Sequence, residues 1–398
     1  MPGRWSRWTT CAMLVLPAFA CGDAPDVSTS VAEPERVLEQ RVDPERTLVL
    51  TEDLRLGGDE ASALYAVIAV ELDEAGSIYV LERGNSRISV FGEDGTPLRT
   101  IGREGEGPGE FLGVSSMTLR RDTIVVGGAR NRLHVFLTDG THVLTRMHGA
   151  LGTTGDGWHT GPSVTGTPAG WLVPAVAYFR RDAEGSDATL APLLRMQLYH
   201  MDDSGALTES GFYWSHTSTG EWDGIFWVQP PYAVRPVWGI DGLGRVLVAD
   251  TEDYVIDVYQ ADGTPVRRIR NDVQRRAITR ALLSEYEASL CASGPECSSD
   301  RNRRRMAMTG PDYLQEVEAL KGYASGHFAV RRAYSDPDPT DRIVAGDWDL
   351  FGPDGGFLGR LPISGTPHWF DGETLVVTVR DELDEQYVVR YRVEPAGG

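Results

Sequence analysis

Three carboxylates and two arginines stand at comparable positions in the sequence, each at the end of a short run rich in aliphatic residues. The carboxylates are Glu82, Asp250 and Asp381, and Arg331 and Arg332 occupy the corresponding place in a fourth run. If the runs converge on one axis, these side chains form a ring suited to a divalent cation or a polar solute. A second role stays open, in which each acid accepts hydrogen bonds from backbone amides of its own turn.

The histidines suggest no metal site, because none of the eight forms an H-x-x-x-H or similar ligand pattern. His368 and Trp369 are predicted to line the same axial cleft as the acids, although packing is the usual role of such residues. No G-x-S-x-G motif is present, so we assign no catalytic residue. Ca²⁺ or another divalent cation is the candidate cofactor, and the metal itself is unknown.

A tryptophan-rich stretch, 211–236, is the second candidate binding region. Trp214, Trp222 and Trp227 would offer stacking faces to a sugar or a peptide if they were exposed. Packing between structural units is the alternative for the same side chains.

The N-terminus has the features of an export signal. An apolar run at 11–20 follows two arginines and is about half as long as the ~20 residues that span a membrane. The sequence LPAFAC that ends at Cys21 resembles a bacterial lipobox, so Cys21 is predicted to be lipidated; plain cleavage near Ala20 is the alternative. Residues 21–45 have the composition of a flexible tether. We therefore expect a periplasmic or outer-membrane-associated protein, held at the membrane by a lipid anchor alone.

Cys291 and Cys297 are the cysteines that remain beyond the signal. Because an exported protein folds in an oxidising compartment, the sequence predicts a disulfide between them.

The formal net charge of −20 limits the partners of the protein. An acidic surface repels phosphate backbones and anionic headgroups, so nucleic acid is not an expected partner.

A repeated segment determines the predicted fold. Residues 73–101 align without a gap on 241–269 and share Asp73, Gly76 and the run Asp94–Pro97. Short alternating runs of β-branched and aromatic residues indicate half-buried strands, and Asp-Gly indicates tight hairpin turns. Three or four such strands every ~45 residues describe a propeller blade. The predicted units are 66–111, 112–150, 163–214, 233–272, 326–364 and 365–394.

The glycine-rich segment GREGEGPGEF, 102–111, connects the first two units. A phosphate-binding loop would need a following Lys-Ser/Thr and a helix, and neither is present. We interpret it as a crossing in which glycines allow tight bends and Phe111 enters the core.

At these residues the chain resembles the NHL-repeat β-propellers and, more narrowly, six-bladed propeller lipoproteins of bacteria. The likeness rests on Gly105–Phe111, Gly76–Glu82, Asn85–Phe91 and the following Asp-Gly. It implies an all-β, six-bladed β-propeller over 46–394. Some six-bladed propellers of this kind are metal-dependent lactonases or lyases, which makes such an enzyme the alternative function.

Two segments lie outside the repeat. Residues 46–57 look like a strand, which we expect to pair with the last blade, close the ring and hide its edge. Residues 273–322 have helical periodicity and are predicted to form an insertion between blades 4 and 5. Its arginines, Arg301, Arg303, Arg304 and Arg305, either dock an acidic partner or are solvated.

The sequence thus predicts an exported, lipid-anchored module that binds an unknown small molecule, a glycan or an envelope protein. Catalysis is uncertain, and a structural propeller that docks another envelope protein is a further alternative.

Overall fold

The computed structural model describes the greater part of the chain beyond the N-terminal signal. The described residues are 32–43, 45–58, 63–129, 132–147, 158–159, 164–179, 193–217, 220–222, 227–273, 275–292, 299–332, 348–361 and 365–394.

The strands form six radially arranged sheets, the blades of a propeller. Two strands precede the first blade: β1 (Val37–Gln40) and β2 (Val49–Leu56). Blade 1 holds β3 (Val67–Leu72), β4 (Ile78–Glu82), β5 (Arg87–Phe91) and β6 (Pro97–Ile101). Blade 2 holds β7 (Val114–Arg120), β8 (Thr123–Gly128), β9 (Arg132–Leu137) and β10 (His142–Met147). Blade 3 holds β11 (Trp158–His159), β12 (Thr165–Thr167), β13 (Gly170–Phe179), β14 (Leu193–Met201) and β15 (Leu207–Thr217).

The second half of the ring repeats this plan. A two-stranded hairpin, β16 (Glu221–Trp222) and β17 (Trp227–Val228), follows blade 3. Blade 4 holds β18 (Val237–Ile240), β19 (Val246–Asp250), β20 (Val255–Tyr259) and β21 (Pro265–Asn271). The helices α1 (Arg280–Ala292) and α2 (Asp300–Ala307) come next. Blade 5 holds β22 (Val317–Gly322), β23 (Phe328–Arg332), β24 (Trp348–Phe351) and β25 (Phe357–Arg360). Blade 6 holds β26 (Thr366–Phe370), β27 (Thr374–Arg380) and β28 (Gln386–Glu394).

Neighbouring blades are held together by apolar packing. The described core separates into six clusters, and each joins the facing sides of two adjacent blades. One of them joins Val376 and Val388 of blade 6 to Val70 and Ile78 of blade 1, so the ring is closed. A single blade could not bury both of its apolar faces, which is why the units need one another.

The Asp-Gly turns form as the sequence predicted. Gly95, Gly140, Gly263 and Gly355 all have a positive φ, between 83° and 95°. In blade 1, Asp94 accepts a hydrogen bond from the amide of Thr96, which fixes the turn between the third and fourth strands.

The GREGEGPGEF segment connects blades 1 and 2, as predicted. Phe111 is fully buried in the cluster between these blades. Gly102 has a φ of 76°, and a Cβ added to it would lie 2.3 Å from the Phe111 ring. Glycine is thus required there both for the bend and for the close approach of the aromatic ring.

The N-terminal strand closes the last blade, as predicted. Strand β2 pairs antiparallel with β28 over Val49–Leu56, so it supplies the fourth strand of blade 6. The outer edge of β28, which would otherwise be open to other chains, is covered.

The segment before β2 departs from the sequence-based description. Residues 37–40, assigned to the flexible tether, form β1 and pair in parallel with β21 at the outer edge of blade 4. The chain then passes blade 5, where the Gln40 side chain donates to Gly355 O and accepts from Phe357 N. A strap of residues 37–56 therefore crosses the rims of blades 4, 5 and 6. The polar composition of this segment predicted a tether because composition alone cannot show that a strand edge, here β21, is available to pair with it.

The insertion between blades 4 and 5 is helical but shorter than predicted. Its helices end at Ala307, and Val317–Gly322 is the first strand of blade 5. The apparent helical spacing of Val317 and Leu320 arises from a bulge that shifts the strand register between Val317 and Ala319. Among the described residues, neither helix has the length and apolar character needed to cross a membrane.

Removing the strap tests its role in closing the ring. A chain that begins at residue 61 loses β1 and β2, together with the buried side chains of Val42, Leu48 and Leu56. Since a buried aliphatic side chain contributes about 1.5–3 kcal/mol, we expect a thermal midpoint at least about 5 °C lower. A chain that begins at residue 32 is the control, and its midpoint should match that of the mature protein. Equal midpoints for the two truncated chains would contradict a closing role.

Candidate functional site

The first strand of each blade lies nearest the propeller axis, and three of these strands bring ionisable side chains together there. Glu71 and Lys321 are the penultimate residues of β3 and β22, so they occupy equivalent places in blades 1 and 5. His368 lies on β26 of blade 6, between those two blades, and β26 contacts β3. We call Glu71, Lys321 and His368 the axial triad.

The contact between Lys321 and His368 joins two blades. Lys321 Nζ lies 3.3 Å from His368 Nδ1. The other ring nitrogen of His368, Nε2, is buried and has no hydrogen-bond partner. His368 is only 6% exposed, whereas Glu71 and Lys321 keep partial exposure. Buried polar atoms are normally paired, so the bare Nε2 is a feature that needs an explanation.

Burial shifts the protonation of all three groups toward the neutral form. It raises the pKa of Glu71 to about 8, although the charge of Lys321 opposes the shift. It lowers the pKa of Lys321 to about 8, with the charge of Glu71 in opposition. Burial and, secondarily, the Lys321 charge hold the pKa of His368 well below its usual range. At neutral pH these shifts favour a carboxylic acid, a neutral imidazole and an ammonium group in the triad.

Such a set carries one positive charge and contains hydrogen-bond donors on Lys321 and on the unpaired Nε2 of His368. It can bind an anion, and it can exchange protons near pH 8. Groups with strongly shifted pKa values concentrate at functional sites, although structural ion pairs also produce such shifts.

Of the sequence-predicted acids, Glu82 is used entirely within its own blade. It is 0% exposed and accepts hydrogen bonds from Ser89 Oγ (2.6 Å), Arg87 Nε (2.9 Å), Asn85 Nδ2 (2.6 Å) and the amide of Tyr65 (3.0 Å). The Asn-x-Arg element of the repeat thus holds this carboxylate at the end of β4.

Asp250 ends the second strand of blade 4, and Asp381 directly follows the second strand of blade 6. Their hydrogen-bond donors differ from those of Glu82. Asp381 accepts from the amides of Leu383 and Glu385, each at 2.9 Å, in the turn between β27 and β28. Asp250 accepts from the amide of Glu252 at 3.2 Å and lines a groove of ≈ 720 Å³ at the rim of blade 4.

The predicted ring of acids does not form a metal site in the described part of the chain. No three His, Cys, Asp or Glu side chains are grouped there as metal ligands would be. The alternative role, acceptance from backbone amides of the acid's own turn, describes Asp250 and Asp381. Glu82 instead accepts mainly from side chains of its own blade.

Arg331 and Arg332 pair with acids at the start of blade 5. Arg332 Nη2 lies 2.9 Å from Oε2 of the fully buried Glu316, and Arg331 Nε lies 3.5 Å from Glu318 Oε2. Both arginine charges are therefore matched by local carboxylates.

Two of the aromatic candidates pack against neighbouring blades, and the side chains of the other two lie outside the described residues. Trp369 packs against the cluster between blades 6 and 1. Trp214, on the outer strand of blade 3, packs partly against the next blade and stacks on His216, with ring centroids 6.0 Å apart. Trp222 and Trp227 are cross-strand partners in the β16–β17 hairpin, but their side chains lie outside the described part. A shared aromatic platform stays a prediction.

The cysteines also fall outside the described part of the structure. Cys21, Cys297 and the side chain of Cys291 are not described, so lipidation and the disulfide stay predictions.

Sequence reasoning found His368 but missed its two partners. Lys321 carried a usable signal, because it is the only lysine among 38 lysine and arginine residues. Glu71 interrupts the aliphatic run of β3, Val67–Leu72, which is the pattern of a charge on an otherwise buried strand.

A search by family model finds a match in the first two blades. Residues 62–144 match DUF5128, a family described as a 6-bladed beta-propeller. Fold and family match agree that this chain is a six-bladed β-propeller. No curated protein of known sequence matches the chain significantly.

Solved structures resemble this propeller at low identity. One is a protein of Bacteroides fragilis NCTC 9343 described as exported, with 12% identity, coverage of 90% of this chain and 99% of the other, and a TM-score of 0.48. A DUF4221 family member from Bacteroides vulgatus has 9% identity, coverage of 88% and 100%, and a TM-score of 0.49. A streptogramin B lyase has 10% identity, coverage of 88% and 100%, and a TM-score of 0.41. These likenesses concern the fold alone.

The raised pKa of Glu71 predicts how stability responds to pH. The folded chain keeps the Glu71 proton up to about pH 8, whereas the unfolded chain releases it near 4.5. The stabilisation from this proton is complete below pH 4.5 and is lost as pH rises through 8. Gln cannot ionise, so the unfolding free energy of Glu71→Gln minus that of the wild type should grow between pH 5 and 8, by at most about 1.4 kcal/mol per pH unit. Urea unfolding across this range measures it.

The exposed Glu74, in the next turn, provides the matched control. Glu74→Gln should differ from the wild type by a constant amount over the same range. A constant difference for Glu71→Gln as well would show that Glu71 is not buried in its neutral form.

Proposed function

We propose that this protein is an exported, lipid-anchored propeller that binds a small molecule at the axial triad in its central channel. The observation that carries the proposal is the convergence of Glu71, Lys321 and His368 from the first strands of three blades, with His368 Nε2 left unpaired.

A purely structural role explains this convergence poorly. Burying ionisable groups costs free energy, and well-packed apolar side chains of similar size stabilise a core at least as well. The equivalent position in blade 4 is Gly239, so the fold itself does not require a charged residue there. Ligand binding gives the partly exposed Lys321 a role that packing does not.

Export and anchoring rest on the N-terminal sequence. The apolar run before Cys21 has the length of the hydrophobic core of a signal peptide. Ten residues, 22–31, separate Cys21 from the first described residue and could reach about 35 Å if fully extended. A lipid on Cys21 would thus keep the propeller close to the membrane surface.

The binding proposal predicts a ligand effect that depends on Lys321. The full-length protein is tested by thermal denaturation against carboxylates, phosphates, amines, neutral sugars and short peptides. At least one class should raise the thermal midpoint of the wild type by about 2 °C or more at saturation. Lys321→Met should lose this increase.

Arg103→Met is the control, because it removes a cation whose side chain is 80% exposed at the rim. It should respond as the wild type does. If no class stabilises the wild type, or if Lys321→Met is stabilised equally, the channel is not the binding site.

The anchoring proposal predicts a change of cell fraction. When expressed in a bacterial host, the wild type should sediment with membranes and be released by detergent but not by salt. Cys21→Ser should appear in the soluble fraction, whereas Ser28→Ala, a similar change in the tether, should not. Membrane retention of Cys21→Ser would contradict the anchor and leave the channel proposal unaffected.

A further inference from the structure

We infer that the ligand of the axial triad is a small organic carboxylate with a single negative charge, bound by Lys321 and His368. The inference rests on the proposed function and adds the chemical class of the ligand.

Hydrogen-bond directions at the triad point to an acceptor-rich ligand. An ammonium group has donors only, so Lys321 in this form must donate to Nδ1 of His368, 3.3 Å away. The imidazole proton then resides on Nε2, which becomes a buried donor without an acceptor. The ammonium keeps two further N–H groups. A carboxylate, with two oxygens and about four lone-pair sites, supplies the acceptors that these donors lack.

The use of lysine favours a ligand that carries a single negative charge. Arginine occupies all the other positions among the 38 lysine and arginine residues, and its planar guanidinium pairs bidentately with carboxylate and phosphate alike. Lys321 instead offers a single compact charge, which a singly charged ligand neutralises. A net charge of −20 also repels approaching anions, and the repulsion grows with the charge of the ligand.

The state of Glu71 adds a pH dependence to this recognition. Below pH 8 its carboxyl group is protonated and donates without repelling an anion, while Lys321 is charged. Above pH 8 Glu71 gains a negative charge and Lys321 loses its positive one. Carboxylate affinity should therefore fall as pH rises through 8.

The single lysine allows a direct test in the wild-type protein. Full-length protein labelled with ¹³C-lysine gives one Cε resonance, that of Lys321. We would titrate it with acetate, propionate and benzoate, with the matched amides acetamide, propionamide and benzamide, and with phosphate and propylamine. At pH 7 at least one carboxylate should shift the resonance saturably, whereas its amide should not. Between pH 7 and pH 9 the affinity should fall at least tenfold.

Calorimetry with variants completes the test. Lys321→Met should bind the same carboxylate at least tenfold more weakly, and Arg103→Met should bind it as the wild type does. Unchanged binding by Lys321→Met would place the carboxylate elsewhere and overturn the inference. Because the lysine resonance is observed in the wild type, the test does not depend on the folding of a variant.

The outcomes separate the two proposals. A saturable shift with phosphate, propylamine or an amide, and none with a carboxylate, would overturn the ligand class and leave the channel site in place. No saturable shift with any probe, together with no stabilisation in the broader panel, would overturn both.

Discussion

The structure depends on the burial of apolar surface between blades. Each blade is a twisted sheet with two apolar faces, and only its neighbours can cover them. The six described clusters lie between blades rather than within them. Closure is therefore an energetic requirement, because an open ring would leave one face of blade 1 and one face of blade 6 exposed to water.

The N-terminal strap makes this closure more secure. Strand β2 completes blade 6, and the residues before it are fixed at the rims of blades 4 and 5. The strap therefore connects three consecutive blades from outside, while the apolar clusters connect them from inside. Its edge strands also cover backbone groups that could otherwise pair with another chain.

The same ring creates the polar environment at its axis. Ring closure brings the first strands of blades 1, 5 and 6 together near the axis, where Glu71 and Lys321 are partly buried and His368 is almost fully buried. Desolvation then favours the neutral form of each group, which raises the pKa of Glu71 and lowers the pKa of Lys321. Elsewhere, carboxylates such as Glu82 are stabilised by arginine, asparagine and backbone donors of their own blade. The carboxylates of the repeat turns therefore have several hydrogen-bond donors nearby, whereas the axial group His368 keeps an unpaired ring nitrogen.

The sequence predicted the repeating part of the fold well because local patterns encode it. Alternating β-branched residues followed by Asp-Gly specify a hairpin without help from distant parts of the chain. The turn at Asp94 and Gly95 is an example. The prediction was wrong where a tertiary feature imitates another pattern. The bulge in β22 gave Val317 and Leu320 helical spacing, and an edge pairing turned the tether-like residues 37–40 into a strand.

By itself, the sequence determined the blade unit, its turns, the acidic surface and the presence of one lysine among many arginines. Only the tertiary structure decided which ionisable groups meet. Glu71 and Lys321 are far apart along the chain, and each looks like an isolated charge on a strand. They come near each other because the ring closes between blade 6 and blade 1. The residues adjacent to Glu71 or Lys321 in the sequence do not encode this closure. Short-range patterns set local geometry, whereas long-range contacts depend on how the packed blades are arranged around the axis.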